Sequence, residues 1–297
     1  MKRTIDPKLM MIFSVTIFGT LGVFVRNIPV TSAELSLYRA VLASILIGGF
    51  MLVTKQRIPF RKLKKEILLL IASGIAMSGD WIFFFEAYKY TTVSVATLSY
   101  YFAPVIVTLA CPILFKEKLT RKQILCFIMS TVGLILITGI GDVGHGRDLL
   151  GILCGLIAAV FYSAIILINK FIKNVDGMPR TFLQLVTSIV ILLPYVLLKD
   201  GISLGSLSGF AWINLLIVGF FHTGITYCLY FSSLKDLPGQ KAAILSYIDP
   251  LVAVFVSVTI LGETMTPMQV VGGALILGFT LWNEISSPPI AAESPET

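Results

Sequence analysis

Five ionisable side chains lie inside long apolar stretches of this sequence: Arg39, Asp80, Glu86, His222 and Asp249. A charged group placed in hydrocarbon costs roughly 3 kcal/mol on insertion scales unless a partner or water compensates for it. Residues of this kind are therefore candidates for substrate binding or proton coupling. Asp249 has no basic neighbour in sequence, which suits a proton carrier, a partner for a cationic substrate group, or a protonated carboxyl group that donates to a freed carbonyl oxygen.

The other four ionisable residues each allow more than one role. Arg39 and Glu86 lie at similar depth from one end of their segments, so we expect a structural ion pair between them. Asp80 lies deeper and could compete for the same arginine. His222 either titrates near neutral pH or hydrogen-bonds as part of a cavity wall.

Polar and aromatic residues recur at steps of three and four along several apolar segments, which places them on one helix face. Thr97 and Tyr101 belong to one such face, Tyr230 and His222 to a second, and Tyr247 is the repeat equivalent of Tyr101. With Trp81, these residues are the predicted cavity wall: Trp81, Thr97, Tyr101, Tyr230 and Tyr247. The alternative is ordinary helix packing, in which small polar residues hold helices together.

Two prolines interrupt apolar segments near their middle. Pro104 and Pro250 each lack the backbone donor that the carbonyl group four residues earlier requires, at Tyr100 and Ser246. They are predicted hinges or substrate-facing polar points, and a kink that only improves packing is the alternative.

The segments that must position these residues are long enough to cross a bilayer. Hydrophobic residues make up 56% of the chain, charged residues 13%, and the mean hydropathy is +0.91. Apolar segments near the roughly 20 residues that a spanning helix needs recur, and we call them spans 1 to 10. Their predicted bounds are 8–27, 33–54, 66–88, 93–115, 121–140, 149–169, 180–198, 209–231, 241–261 and 267–284. The predicted fold is an all-α integral membrane protein with ten transmembrane helices.

Lysine and arginine residues indicate the orientation, because they concentrate in cytoplasmic loops. With the N-terminus inside, eighteen of them face the cytoplasm and four the outside, and Arg39 lies within a span. Both termini are thus predicted to be cytoplasmic in a multi-pass cell-membrane protein. The net charge of +7 then belongs to loops facing anionic lipid, which argues against a nucleic-acid partner.

Two parts of the chain repeat each other at an offset of 146 residues. The first copy contains Ala96, Tyr101, Pro104, Glu117, Thr120 and Gln123, and the second contains Ala242, Tyr247, Pro250, Glu263, Thr266 and Gln269. Five spans per copy is an odd number, so the copies should enter the membrane from opposite sides. We predict two inverted five-helix repeats, residues 1–145 and 146–285, followed by a disordered cytoplasmic tail at 286–297.

Local signals in the repeat are mainly structural. Thr120 with Gln123, and Thr266 with Gln269, match the capping box that begins a helix, and the preceding Glu117 and Glu263 should pack at the same helix ends. Four glycines are expected to allow close helix approach: Gly19, Gly22, Gly151 and Gly155.

The chain resembles the drug/metabolite transporter superfamily, specifically its EamA-type ten-helix transporters. The resemblance covers about residues 10 to 285 and includes the stretch 85–92, the segment from Ala96 to Pro104, the sequence 117–120 and the glycine-rich final span. It implies a central cavity lined by spans 1, 3, 4, 6, 8 and 9, with spans 5 and 10 at the periphery.

The predicted function is secondary transport of a small organic metabolite, such as an amino acid, amine or related solute, with or without proton coupling. The sequence has no nucleotide-binding loop or metal-ligand spacing, so no cofactor is expected, and a monomer and a homodimer are equally consistent. Two alternatives are an intramembrane aspartyl-type enzyme using Asp80 and Asp249, and a membrane sensor or assembly protein without transport activity.

Overall fold

A computed structural model describes residues 6–58, 63, 66–115, 119–137, 146–175, 177–199, 201–234, 236–237 and 239–286. These residues form helices joined by short loops and contain no strand, so the all-α prediction is confirmed. Glu117 and most of the predicted tail lie outside the described residues.

The helices are numbered in chain order. In residues 1–145 they are α1 (Pro7–Gly19), α2 (Leu21–Val25), α3 (Ser32–Val53), α4 (Ile67–Tyr90), α5 (Val93–Tyr100), α6 (Ala103–Phe115) and α7 (Arg121–Ile137). They continue as α8 (Gly146–Phe171), α9 (Gly177–Lys199), α10 (Gly209–Leu216), α11 (Thr226–Leu234), α12 (Gly239–Ser246), α13 (Ile248–Thr259) and α14 (Pro267–Ser286). A π-helical segment, Ile217–Ile225, connects α10 to α11, and a short 3-10 turn occupies Leu204–Ser206.

Seven helices in the described parts of the chain are long and apolar enough to cross a membrane. They are Pro7–Val25, Ser32–Val53, Ile67–Tyr90, Val93–Leu114, Arg147–Phe171, Gly177–Lys199 and Gly209–Leu234. Predicted spans 5, 9 and 10 correspond to α7, to α12 with α13, and to α14, which are helical but fall outside this set. Many large apolar side chains remain exposed on the outside of the bundle, as in a protein solvated by lipid.

Both predicted capping boxes are present. The Thr120 amide donates to Gln123 Oε1 at 2.8 Å, and the Gln123 amide donates to Thr120 Oγ1 at 3.2 Å. The same reciprocal bonds link Thr266 and Gln269 at 2.9 and 3.2 Å. These bonds satisfy amides that have no partner within the helix, which fixes where α7 and α14 begin.

In spans 4 and 9 the regular helix is interrupted for one or two residues just before each proline. Helix α5 ends at Tyr100 and α6 starts at Ala103, while α12 ends at Ser246 and α13 starts at Ile248. Pro104 and Pro250 therefore lie in the first turn of a second helix, where the missing amide and the fixed φ of proline are tolerated. The offset of 146 residues maps α5 onto α12, so the two breaks are repeat equivalents.

When a helix of the first copy packs on a helix of the second, the equivalent helices with the copies exchanged also pack on each other. Helix α4 packs on α8 as α1 packs on α11, α6 packs on α8 as α1 packs on α13, and α9 packs on α4 as α3 packs on the π-helical segment. Two further pairs join equivalent helices of the two copies, α3 with α9 and α7 with α14, and α5 with α13 joins the equivalent spans 4 and 9. The two copies are thus interlocked, and α7 with α14 forms a pair beside the main bundle.

The predicted glycine contacts are confirmed. A Cβ atom on Gly19 would lie 2.6 Å from the backbone oxygen of Asp249, and one on Gly151 would lie 2.6 Å from Thr91 Cβ. A Cβ atom on Gly22 would lie 2.7 Å from the Val93 side chain, and one on Gly155 would lie 3.0 Å from Ser99 Cβ. Gly133 and Gly272 pack against each other within the chain, so these two glycines serve the α7–α14 pair instead of a surface for a second copy.

Candidate functional site

Tyrosine side chains dominate the interior between the two copies. Seven of the ten tyrosines of the chain line it: Tyr88, Tyr100, Tyr101, Tyr162, Tyr227, Tyr230 and Tyr247. The ring centroids of Tyr101 and Tyr247 are 6.3 Å apart, and those of Tyr100 and Tyr162 are 5.3 Å apart. Tyr227 and Tyr230 both contact Phe18 of α1, at 5.6 and 6.0 Å. The interior therefore offers aromatic faces and hydroxyl groups in one place.

The two helix breaks meet at Asp249. The Tyr101 hydroxyl donates to Asp249 Oδ2 at 2.8 Å and lies 3.4 Å from the backbone oxygen of Ser246. Ser246 carries the carbonyl group that Pro250 leaves without a helical donor, so a side chain from the first copy reaches a backbone group opened in the second. Asp249 and Tyr101 thus form a polar contact between the copies.

Arg39 is held by aromatic rings and one hydroxyl group. Its Nε donates to Thr223 Oγ1 at 2.6 Å, and its guanidinium carbon lies 4.2 Å from the centre of the Trp81 ring and 5.4 Å from that of Phe85. Only 4% of Arg39 is exposed. Thr223 belongs to the π-helical segment, whose wider turn occurs often at functional sites.

The predicted ion pair between Arg39 and Glu86 is wrong. Glu86 accepts from Ser32 Oγ at 2.5 Å and from Lys89 Nζ at 3.1 Å. Lys89 is three residues further along the same helix, where side chains are neighbours, whereas Arg39 turns toward Trp81 and the π-helical segment.

Asp80 lies within electrostatic range of Arg39 and Tyr100 and is 4% exposed. Its Oδ1 atom is buried and has no hydrogen-bond donor among the described residues. Salt bridges of 4.0 Å or less in the described parts of the chain join Arg26 to Glu263 and Lys89 to Glu86, and Asp80 takes part in neither. The competition predicted for Arg39 is therefore a longer-range attraction and not a contact pair.

His222 is a hydrogen-bonded wall residue in this conformation. Its Nε2 lies 2.9 Å from Thr20 Oγ1, and its Nδ1 lies 3.4 Å from the Ile217 oxygen. Its ring lies 4.8 Å from that of Phe24. Thr20 stands between α1 and α2, so this contact also joins the two copies.

The predicted residues are brought together in one interior. Tyr162 is within electrostatic range of both Asp80 and Asp249, and Tyr88 is within range of Asp249 and Arg39. Thr97 is buried next to Tyr88. The first-turn prolines, Pro104 and Pro250, lie beside this interior at the two breaks, and Glu86 lies farther along α4.

A vestibule of about 730 Å³ opens at the end of the bundle that carries Glu86. Phe85 and Tyr88 belong to its lining, and Phe85 also faces Arg39. Charged and polar groups make up much of the rest of the lining: Arg26, Ser32, Lys89, Tyr90, Thr91, Thr92, Asp148 and Glu263. Phe85 thus both lines the vestibule and covers one side of the Arg39 guanidinium group.

An ion pair at the rim of the vestibule was not anticipated. Arg26 pairs with Glu263, and Arg26 also donates to the Thr91 oxygen at 3.1 Å. Glu263 accepts from the Val93 amide at 2.8 Å and from Ser257, so it caps the start of α5, whereas its packing was predicted at the helix end that Thr266 begins. Sequence placed Arg26 and Glu263 in separate loops, and only folding brings these loops together.

Two further polar groups were missed because they resemble ordinary helix-end or packing residues. Glu34 is fully buried and accepts hydrogen bonds from the Tyr38 hydroxyl and the Ser203 amide. In the sequence, the capping pattern from Thr31 to Glu34 was the feature that could have drawn attention to this residue. Gln184 donates to Ser73 at 2.5 Å and to Asn169 at 2.9 Å, which joins α4, α8 and α9.

The EamA-like transporter family matches the chain twice, over residues 8–139 and 149–283. The chain belongs to the EamA-like transporter family. The resemblance expected from the repeated motif is therefore confirmed, and the chain is a transporter-family membrane protein.

Proteins similar to this chain carry transporter names. The chain is 29% identical to the "Uncharacterized transporter YxxF" of Bacillus subtilis (strain 168), covering 99% of this chain and 96% of that protein. It is 27% identical to the "Probable amino-acid metabolite efflux pump" of Salmonella typhimurium, covering 78% and 83%. A solved crystal structure has a TM-score of 0.64 at 16% identity and covers 94% of this chain and 96% of its own, which shows a shared fold.

Proposed function

We propose that this EamA-family protein is a secondary active transporter of a small organic metabolite, such as an amino acid, an amine or a related solute. Transport proceeds by alternating access of one central site, with or without proton coupling. The site comprises Asp80, Asp249, His222 and Arg39, walled by Trp81, Thr97, Tyr101, Tyr230 and Tyr247, and Pro104 with Pro250 are its joints. Glu86 acts beside the vestibule, through its hydrogen bonds to the lining residues Ser32 and Lys89.

The pair of facing helix breaks carries this proposal. Discontinuous helices at the interface of two repeats are the sites at which many secondary transporters bind their substrates. Here both breaks belong to equivalent positions, and Tyr101 and Asp249 contact each other across them. Non-helical backbone at membrane depth is tolerated where it lines a protein interior or a wet cavity.

The inverted arrangement of ten spans is part of the same proposal. Two family matches, the 146-residue offset and the exchange of contacts between the copies all support a duplicated unit of residues 1–145 and 146–285. An odd number of spans per unit inverts the second copy. With both termini cytoplasmic, the vestibule opens to the outside of the cell membrane.

A name among the relatives supports the substrate class. The Salmonella relative is called a probable amino-acid metabolite efflux pump, and charged groups of both signs reach the interior of this chain. We therefore propose a polar organic solute in preference to an inorganic ion.

Reconstitution tests transport directly. Purified protein in proteoliposomes should exchange an internal labelled amino acid or amine for an external one, and liposomes without protein should not. Absence of exchange for every amino acid and amine tried, from folded protein, would contradict the proposal and favour a sensor or assembly role.

The enzyme alternative has little support in the site. An aspartyl dyad requires two carboxyl groups that share a proton. Asp249 accepts from Tyr101, Asp80 Oδ1 has no donor, and no hydrogen bond between the two carboxyl groups occurs among the described residues.

A further inference from the structure

Arg39 presents an incomplete set of hydrogen bonds toward the interior. A guanidinium group has five N–H donors, and among the described residues only Nε of Arg39 has an acceptor, at Thr223. The terminal nitrogens have no acceptor among the described residues, and 4% of Arg39 stays exposed. Trp81 and Phe85 cover the flat faces of the group, which leaves its edge as the free direction.

Asp80, on the neighbouring helix α4, lacks a hydrogen-bond donor where Arg39 lacks acceptors. It is 4% exposed, and its Oδ1 atom is buried without a donor. A buried carboxylate oxygen without a donor is costly, so such atoms usually meet a ligand, a proton or water. Arg39 is close enough to attract this carboxylate but forms no salt bridge with it within 4.0 Å.

From this pair we infer that Arg39 and Asp80 bind the two charged ends of a zwitterion, which makes an α-amino acid the substrate class of the site. The guanidinium edge binds the carboxylate through paired N–H donors, and the ammonium group supplies the donor that Asp80 Oδ1 lacks. This inference rests on the proposed transport function and specifies its substrate.

Charge balance favours a zwitterion over a simple ion. Arg39 and Asp80 are opposite charges in a low-dielectric interior, so a ligand that pairs with only one of them would leave the other without its partner. A zwitterion compensates both. The surrounding tyrosines, including Tyr88 and Tyr100, provide aromatic surface for the rest of the molecule.

Binding to the wild-type protein in detergent tests the inference without any substitution. Calorimetry would compare the tightest-binding standard L-amino acid with its decarboxylated amine and its deaminated acid. The amino acid should bind about 10- to 100-fold more tightly than either, as expected for loss of a charged hydrogen-bonded contact. Equal or tighter binding of the amine or the acid would overturn the inference, as would an absence of amino-acid binding.

Two substitutions assign the ends of the ligand. Arg39→Gln should weaken binding of the amino acid and of the deaminated acid but leave binding of the amine unchanged. Asp80→Asn should weaken binding of the amino acid and of the amine but not that of the acid. Lys122→Gln is the matched control, since Lys122 also lies over a tryptophan ring, Trp282, at 4.7 Å, but on the peripheral α7–α14 pair. It should change none of the three affinities.

If Arg39 and Asp80 had only a structural role, each substitution would weaken the binding of all three compounds together. That result would contradict the assignment. Arg39→Lys and the wild-type comparison keep the test decisive if Arg39→Gln does not fold, because lysine retains the charge but not the paired donors. Flux in proteoliposomes separates this inference from the proposed function. Transport of an amine or a neutral solute that no amino acid inhibits would overturn the zwitterion site and leave the transporter proposal intact.

Discussion

At the scale of single residues, Asp249 differs from Asp80 in its partner. Asp249 accepts a hydrogen bond from Tyr101, and Asp80 has a buried oxygen without a donor. The two carboxyl groups are therefore suited to different tasks. We assign Asp80 to ligand binding and Asp249 to the contact between the helix breaks, where gain or loss of a proton would alter the bond to Tyr101.

The first prediction concerns Asp249→Asn. The amide keeps the size of the side chain and can still accept from Tyr101, so the protein should fold, but it cannot exchange a proton. Flux in proteoliposomes measured across a pH series should lose its pH dependence. Tyr101→Phe is the companion variant, which removes the bond and keeps the carboxyl group, and it should retain pH-dependent flux. An unchanged pH profile in Asp249→Asn would remove Asp249 from the coupling step.

At the scale of helices, close packing supports the broken segments. Gly19, at the end of α1, lies against the Asp249 oxygen and the side chain of Val252. No larger residue fits there without moving α13. The backbone of the first copy therefore holds the start of α13 in position, and the geometry of Asp249 depends on a residue with no side chain.

The second prediction compares two Gly→Ala changes. Gly19→Ala places a Cβ atom 2.6 Å from the Asp249 oxygen, so overpacking should lower the free energy of unfolding by about 1–3 kcal/mol. Gly49→Ala, in α3, meets nothing within 4 Å and should be neutral or stabilise by up to about 1 kcal/mol. Chemical denaturation in detergent would measure both. Equal effects would contradict the packing argument.

At the scale of the whole molecule, the two copies are joined differently at the vestibule rim and in the interior. Arg26 and Glu263 connect the loop after α2 with the loop after α13, and Glu263 also holds the start of α5. Only 8% of the Glu263 side chain is exposed. Any motion that separates the copies at this end must break this group of contacts.

The third prediction is a double-mutant cycle on this pair. Arg26→Gln and Glu263→Gln should each lower the free energy of unfolding, and the double variant should lose less than the sum, with a coupling of about 0.5–3 kcal/mol. The Lys89–Glu86 pair, of which Lys89 lines the same vestibule, is the matched comparison. Its side chains are 44% and 30% exposed, so its coupling should not exceed about 1 kcal/mol. Additive losses for Arg26 and Glu263 would show that the pair does not join the copies energetically.

Sequence alone was sufficient for the features that depend on composition and local pattern. The apolar segments, the capping boxes at Thr120 and Thr266, the close-packed glycines and the family resemblance all follow from residue type and spacing. Hydrophobic length and helix-end hydrogen bonds are local properties, so they can be predicted without knowledge of which helices touch.

Only the tertiary structure decided which polar groups meet. Arg39 pairs with Thr223 and Trp81 instead of Glu86, Arg26 reaches Glu263, and Tyr101 of one interrupted span meets Asp249 of the other. Depth along a span does not specify the direction in which a side chain points, and the partners lie on segments far apart in the chain. These contacts depend on the rotation and packing of whole helices, which no local pattern encodes.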